Sequence, residues 1–161
     1  MALCPLRNWF QHLPENLPRS RAEAAEQLLA AADGVIPLWL ERCVRKILLE
    51  QRIESGEADA KISLMVRQAS PMVMGELGAS VTGVRADNPL QVFRRAVVYP
   101  TLVLSELGAK EVHRDDFSRQ SFPNDIFGLS PATWIDVDEA LHDPGLIWGA
   151  WTAREALDRE L

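Results

Sequence analysis

Ala25, Leu28, Leu29 and Ala32 stand three and four residues apart, a spacing that puts them on one helical face. Ser20 and Glu23 precede them as a capping box, S-x-x-E, so a helix is expected to start at residue 20. Asp33-Gly34 is a stop signal, and Ile36-Pro37 reads as a second start with proline in the first turn. Ile36, Leu40, Cys43, Val44, Ile47 and Leu48 then form an apolar face opposite Glu41, Arg42, Arg45, Lys46 and Glu50. Glu41 and Arg45 are an i,i+4 pair in the favourable order. With Glu54-Ser55-Gly56 as terminator, these two segments are expected to form a helical hairpin.

Ile62, Met65, Val66, Ala69 and Val73 keep the helical period between Ala58 and about Val84, with a kink or restart expected at Ser70-Pro71. Gly75, Gly78, Ala79 and Ser80 are small enough for a close helix approach. Asp87-Asn88-Pro89 predicts another helix start, continued by Leu90, Phe93, Val97, Thr101 and Leu104 and stopped by Gly108. Within it, AVVYPTLVL is rich in strand formers, yet Pro100 opposes a central strand; a kinked helix is the expectation for 97–104.

Outside this region the pattern breaks. Pro5, Pro14 and Pro18 make residues 1–19 an irregular arm, pinned by Trp9, Phe10 and Leu13. Val112 to Leu129 has no clean period and reads as a long ordered loop whose Phe117, Phe122, Ile126 and Phe127 need burial. Three helix starts follow: Ser130-Pro131, Asp136 with Glu139, and Asp143-Pro144. Leu146, Ala150, Ala153 and Leu157, with Ile147 and Trp151 beside them, form the face of the last helix. The expected fold is therefore mainly α: one domain over 1–161, with an arm (1–19), a helical body (20–109) and a C-terminal segment (110–161). No repeat, heptad run or low-complexity tract interrupts that reading.

Charge changes the picture in the last third. Of 161 residues with a net charge of −6, residues 111–161 hold four basic and eleven acidic ones, a balance of −7. An acidic chain without a basic stripe repels phosphate backbones, so no nucleic-acid partner is expected. The most apolar window, Ile62 to Val84, carries Arg67 and Glu76, which argues for core and against a membrane span. Two cysteines, Cys4 and Cys43, and no basic-then-apolar leader fit free thiols in a reducing cytoplasm.

Several groups carry candidate chemistry. His142 with Asp138 and Glu139, joined by His113, Asp115 and Asp116 from EVHRDD and by Asp125, is a set that binds a divalent ion or runs acid–base chemistry if it assembles. No H-E-x-x-H or C-x-x-C accompanies it, and helix capping accounts for several of the acids, so a capped, solvated acidic surface is preferred. Trp134, Trp148 and Trp151 fall within eighteen residues and suit either a lock onto the body or an anchor for a partner. Cys43, beside Arg42, Arg45 and Lys46, is read as an inert core thiol. Cys4-Pro5 near His12 resembles a regulatory haem contact, but no cofactor is expected. Arg94-Arg95 reads as a solvated helix face.

Three functions remain. The first is a non-enzymatic interaction or scaffold protein, binding a protein partner or a second copy through its Trp-rich segment. The second is an enzyme using His113, His142 and nearby carboxylates. The third is a small-ligand sensor with a pocket between helices, built from the methionines and small residues of 62–84.

Overall fold

The computed structural model describes residues 17–83, 88–112 and 124–160. Its first helix, α1 (Arg21–Glu50), starts where the capping signal lies. The Ser20 hydroxyl accepts from the Glu23 amide at 3.2 Å, but Glu23 reaches past Ser20 to the Arg19 amide at 2.7 Å. The expected stop at Asp33-Gly34 does not occur, and neither does the hairpin it implied. α1 runs through Gly34 and Pro37 without interruption for 30 residues, or about 45 Å. Interior glycine costs ~1 kcal/mol and interior proline ~3 kcal/mol. Burying Val35, Ile36 and Leu40 on either side returns about 1.5–3 kcal/mol each, so continuity wins. Pro37 also leaves only the carbonyl of exposed Asp33 unpaired, where water can reach it.

The hairpin forms instead between α1 and α2 (Ala58–Thr82). α1 ends in a Schellman motif: the Ile53 amide bonds the Leu48 carbonyl at 2.9 Å and the Arg52 amide bonds that of Leu49 at 3.2 Å. Arg52 takes the left-handed position usually filled by glycine, at φ 54°. Arg45 joins Glu41 within α1 at 2.8 Å and Asp59 across the hairpin at 2.9 Å. α2 is also continuous; Pro71 sits on its exposed side, opposite the buried Ile62, Met65, Ala69 and Val73. Gly75 makes no close approach, being exposed, and a side chain added at Gly75 or Gly78 would meet nothing.

α3 (Leu90–Ala96) and α4 (Val98–Glu106) form the kinked rod that Pro100 predicts. Pro100 has no amide for the Ala96 carbonyl, and the chain breaks one residue later, at Val97. At the start, the Asn88 side chain accepts from the Leu90 amide at 3.0 Å. Gly108, at φ 80°, closes a second Schellman motif, with the Ala109 amide on the Leu104 carbonyl at 3.0 Å.

The C-terminal segment holds α5 (Trp134–Val137), a 3-10 turn (Glu139–Leu141) and α6 (His142–Glu160). The three expected starts shift. Pro131 opens no helix; Thr133 caps α5, and the Asp136 carboxylate accepts from the Ala132 and Thr133 amides at 3.0 and 2.9 Å. Asp138 caps the 3-10 turn through the Ala140 amide at 2.9 Å, and α6 begins at His142, one residue before Asp143.

Long-range pairs fix the path. Arg45–Asp59 and Lys61–Glu106 place α2 antiparallel to α1 and to the α3–α4 rod. Arg42–Asp138 and Arg21–Glu155 place the last segment antiparallel to α1. The result is an up-down-up-down arrangement of helices around α1, with no strand among the described residues. Its core includes Leu28, Ile36, Leu40, Ile47, Ile62, Leu77, Phe93, Leu104, Phe127 and Leu141. No polar residue is buried among the described ones, and no helix there is long and apolar enough to cross a membrane.

Candidate functional site

The tryptophans were the strongest sequence lead, and two of the three are committed to the fold. Trp148 is 2 % exposed, with the Arg21 guanidinium 5.1 Å from its ring centre. Trp134 packs edge-on to Phe93 at 5.9 Å, and Phe93 in turn packs on Trp39 at 5.3 Å. Its ring also covers Gly145, where a Cβ would run into the indole. Trp151 is half-buried under Arg154 at 5.4 Å. The helix contact between small and large residues is thus at Gly145, not at Gly75 or Gly78.

The carboxylates near His142 are also engaged elsewhere. Asp138 receives Arg42 at 2.7 Å in addition to the Ala140 amide. That amide, opposed by partial burial and helped by Arg42, holds the Asp138 carboxyl below its usual range. His142 is exposed and meets Asp143 at 3.2 Å; Glu139 is exposed. Asp125 accepts from the Leu129 and Ser130 amides, both at 2.7 Å, and so shapes the turn before α5. His113, Asp115 and Asp116 lie outside the described residues, as do Cys4, His12, Trp9, Phe10, Leu13, Phe117 and Phe122. Among the described residues no three of His, Cys, Asp and Glu come together in a metal-binding group. Arg94, read as solvated, donates to the Pro131 and Ala132 carbonyls at 2.9 and 3.0 Å and ties the loop to α3.

Two concave surfaces lie among the described residues. The first is a groove of about 260 Å³ between α2 and α4, lined by Leu64, Met65, Ala69, Met72, Tyr99 and Leu102 among others. Leu64 (46 %), Met72 (55 %) and Leu102 (58 %) stand well exposed there, and Val98 (49 %) lies one turn from Leu102 on α4. The Tyr99 hydroxyl approaches the Met72 sulfur at 3.8 Å, and Lys61 meets Glu106 at 2.9 Å on its rim. The sequence reads the apolar window 62–84 as core or as the lining of a sensor pocket, and does not mark Leu102 as exposed. A signal was present in VYPTLVLSE, which is more apolar than one buried face requires.

The second is a cleft of about 350 Å³ between α1 and the stretch 128–137. Trp39, Arg42, Cys43 and Lys46 come from α1; Leu129, Ser130, Pro131 and Val137 close the other side. Burial pushes the Cys43 thiol up to about 12, although Arg42 and Lys46 pull it down; Asp125 adds to the rise. It is buried in the core, as the sequence predicts.

The chain matches no protein family, no curated protein and no solved structure.

Proposed function

We propose that this chain is a non-enzymatic helical interaction protein that covers its α2–α4 face with an apolar helix, supplied in the simplest case by a second copy. The observation behind this reading is the cluster of Leu64, Met72 and Leu102 in one groove with Val98 one turn from Leu102, four large side chains about half exposed. Helix-in-groove recognition uses such a surface, and methionine adapts to varied partners. Full burial of each side chain is worth about 1.5–3 kcal/mol, so covering the exposed halves yields roughly 3–6 kcal/mol gross. Association costs ~4 kcal/mol or more, so the expected complex is weak and reversible unless neighbouring contacts add to it. The docking element moves from the Trp-rich segment to this face, because Trp134 and Trp148 support the fold. Sedimentation of the wild type and of Leu102→Glu tests it: the wild type should show concentration-dependent association that the variant lacks. A wild type that stays monomeric and captures no partner in pull-downs ends this reading.

A second reading has its own observation. The groove contains Met65, Ala69 and Met72, the residues expected to form a sensor pocket. An apolar ligand seated there would raise the melting temperature of the wild type and not of Leu102→Glu. A compound screen without any stabilising hit would remove it.

A further inference from the structure

The cleft between α1 and residues 128–137 shares no lining residue with the α2–α4 groove and has a different chemistry. Its apolar lining is Trp39 from α1, with Pro131 and Val137 across from it. Beside Trp39, α1 carries Arg42 and Lys46, one helical turn apart. Arg42 spends one nitrogen, Nη2, on Asp138 and the Val137 carbonyl, leaving Nε and Nη1 without partners among the described residues. Lys46 has neither a hydrogen bond nor an ion pair there. Ser130 also lines the cleft, and its Oγ is buried with no hydrogen-bond partner among the described residues. A buried hydroxyl without a partner, beside apolar side chains and solvated cations, is what a small-molecule site presents.

We propose that this cleft binds a small organic carboxylate, its charge taken by Lys46 and the unused edge of Arg42, its apolar body lying against Trp39 and Pro131. Charge sets the valence. Asp138 offsets Arg42 at 2.7 Å; Asp136, which also lines the cleft, turns Oδ2 to the Ala132 and Thr133 donors and keeps its negative charge. Asp125 is turned to the Leu129 and Ser130 amides. Lys46 is left as the rim cation without an ion-pair partner among the described residues, and beside the Asp136 carboxylate that suits a monoanion better than a phosphate dianion. Volume sets the size: at ~30 Å³ per water, 350 Å³ holds on the order of a dozen water-sized groups. The acidic chain as a whole opposes anions, but charges beyond about 8 Å are screened at physiological salt. Short-range contacts therefore decide.

The test titrates the full chain with phenylacetate and 3-methylbutanoate, read by NMR at the Trp39 indole and the Ser130 amide. Phenylacetamide and inorganic phosphate are the comparisons. At least one of the two acids should shift both signals saturably, with the amide and phosphate weaker. Lys46→Met should weaken that binding about ten-fold, with Lys46→Arg retaining it. Lys46 is exposed, so both variants should keep the wild-type melting temperature. The amide comparison needs no variant. If neither acid shifts the signals at millimolar concentration, if phenylacetamide binds as well as phenylacetate, or if folded Lys46→Met binds like the wild type, the assignment falls.

Discussion

Gly145→Ala is the sharpest probe of how the C-terminal segment is held. In an isolated helix the change stabilises by about 1 kcal/mol, since alanine is the better helix former. In this fold the new methyl would enter the space of Trp134 Cγ, Cδ1 and Cδ2. Those atoms lie near the base of the side chain, so a small rotation of the ring tip does not clear them. Phe93 blocks retreat on another side, with its ring 5.9 Å away and edge-on. Overpacking of this kind costs typically ~1–3 kcal/mol, and more where the neighbour cannot move. Here the steric cost exceeds the propensity gain, and a net loss of about 1–2 kcal/mol is expected. For a chain of this size that lowers Tm by roughly 2–8 °C. Urea denaturation of Gly145→Ala, Trp134→Leu and the double variant measures it. A leucine side chain is smaller than the indole and frees the space, so the Trp134→Leu change should rescue Gly145→Ala. The cycle should show a coupling of about 1 kcal/mol or more. A Gly145→Ala protein as stable as the wild type, or additive changes in the double variant, would refute the packing argument.

Arg52→Gly should stabilise the chain by about 0.5–1 kcal/mol in denaturant melts, because it relieves the left-handed backbone at φ 54°. Gly108→Ala, at φ 80°, should destabilise by ~1 kcal/mol for the same reason. Asp138 has a depressed folded pKa, so its contribution is complete above the ordinary carboxyl value of about 3.9 and disappears as pH falls through the folded value. Asp138→Asn should therefore be less stable than the wild type at neutral pH, with the two stability curves converging in acid. Cys43, buried and with its thiol pushed up to about 12, should resist alkylation at pH 8 until denaturant is added, as followed by peptide mass spectrometry.

Local chemistry was legible wherever one residue decides one bond. Ser20, Asn88, Pro100 and Gly108 each act where the sequence puts them. It failed where distant burial overrode a local preference. Asp33-Gly34 and Pro37 look like a terminator and a restart, yet the apolar residues on either side keep α1 whole. Arg52 carries no mark of a left-handed residue, because the Schellman bonds and the turn into α2 impose it. Glycine was also ambiguous: Gly75 and Gly78 face open space, whereas Gly145 carries the close approach. Of the candidate sites, a capping role for Asp136 was readable from spacing, whereas Asp138, placed by spacing beside His142, caps the 3-10 turn instead. The Arg42–Asp138 contact spans 96 residues and has no local signature. Nor does periodicity tell a covered apolar stripe from an open one, so Leu64, Met72 and Leu102 could not be separated from core.

The up-down-up-down path brings Arg21 and Glu155 within 3.4 Å, so the chain returns to the pole from which it set out. A probe attached near Arg21 or near Glu155 would sit at that one end. The far pole, where the Gln51 amide grips Lys110 through two backbone bonds, would stay clear of both attachments.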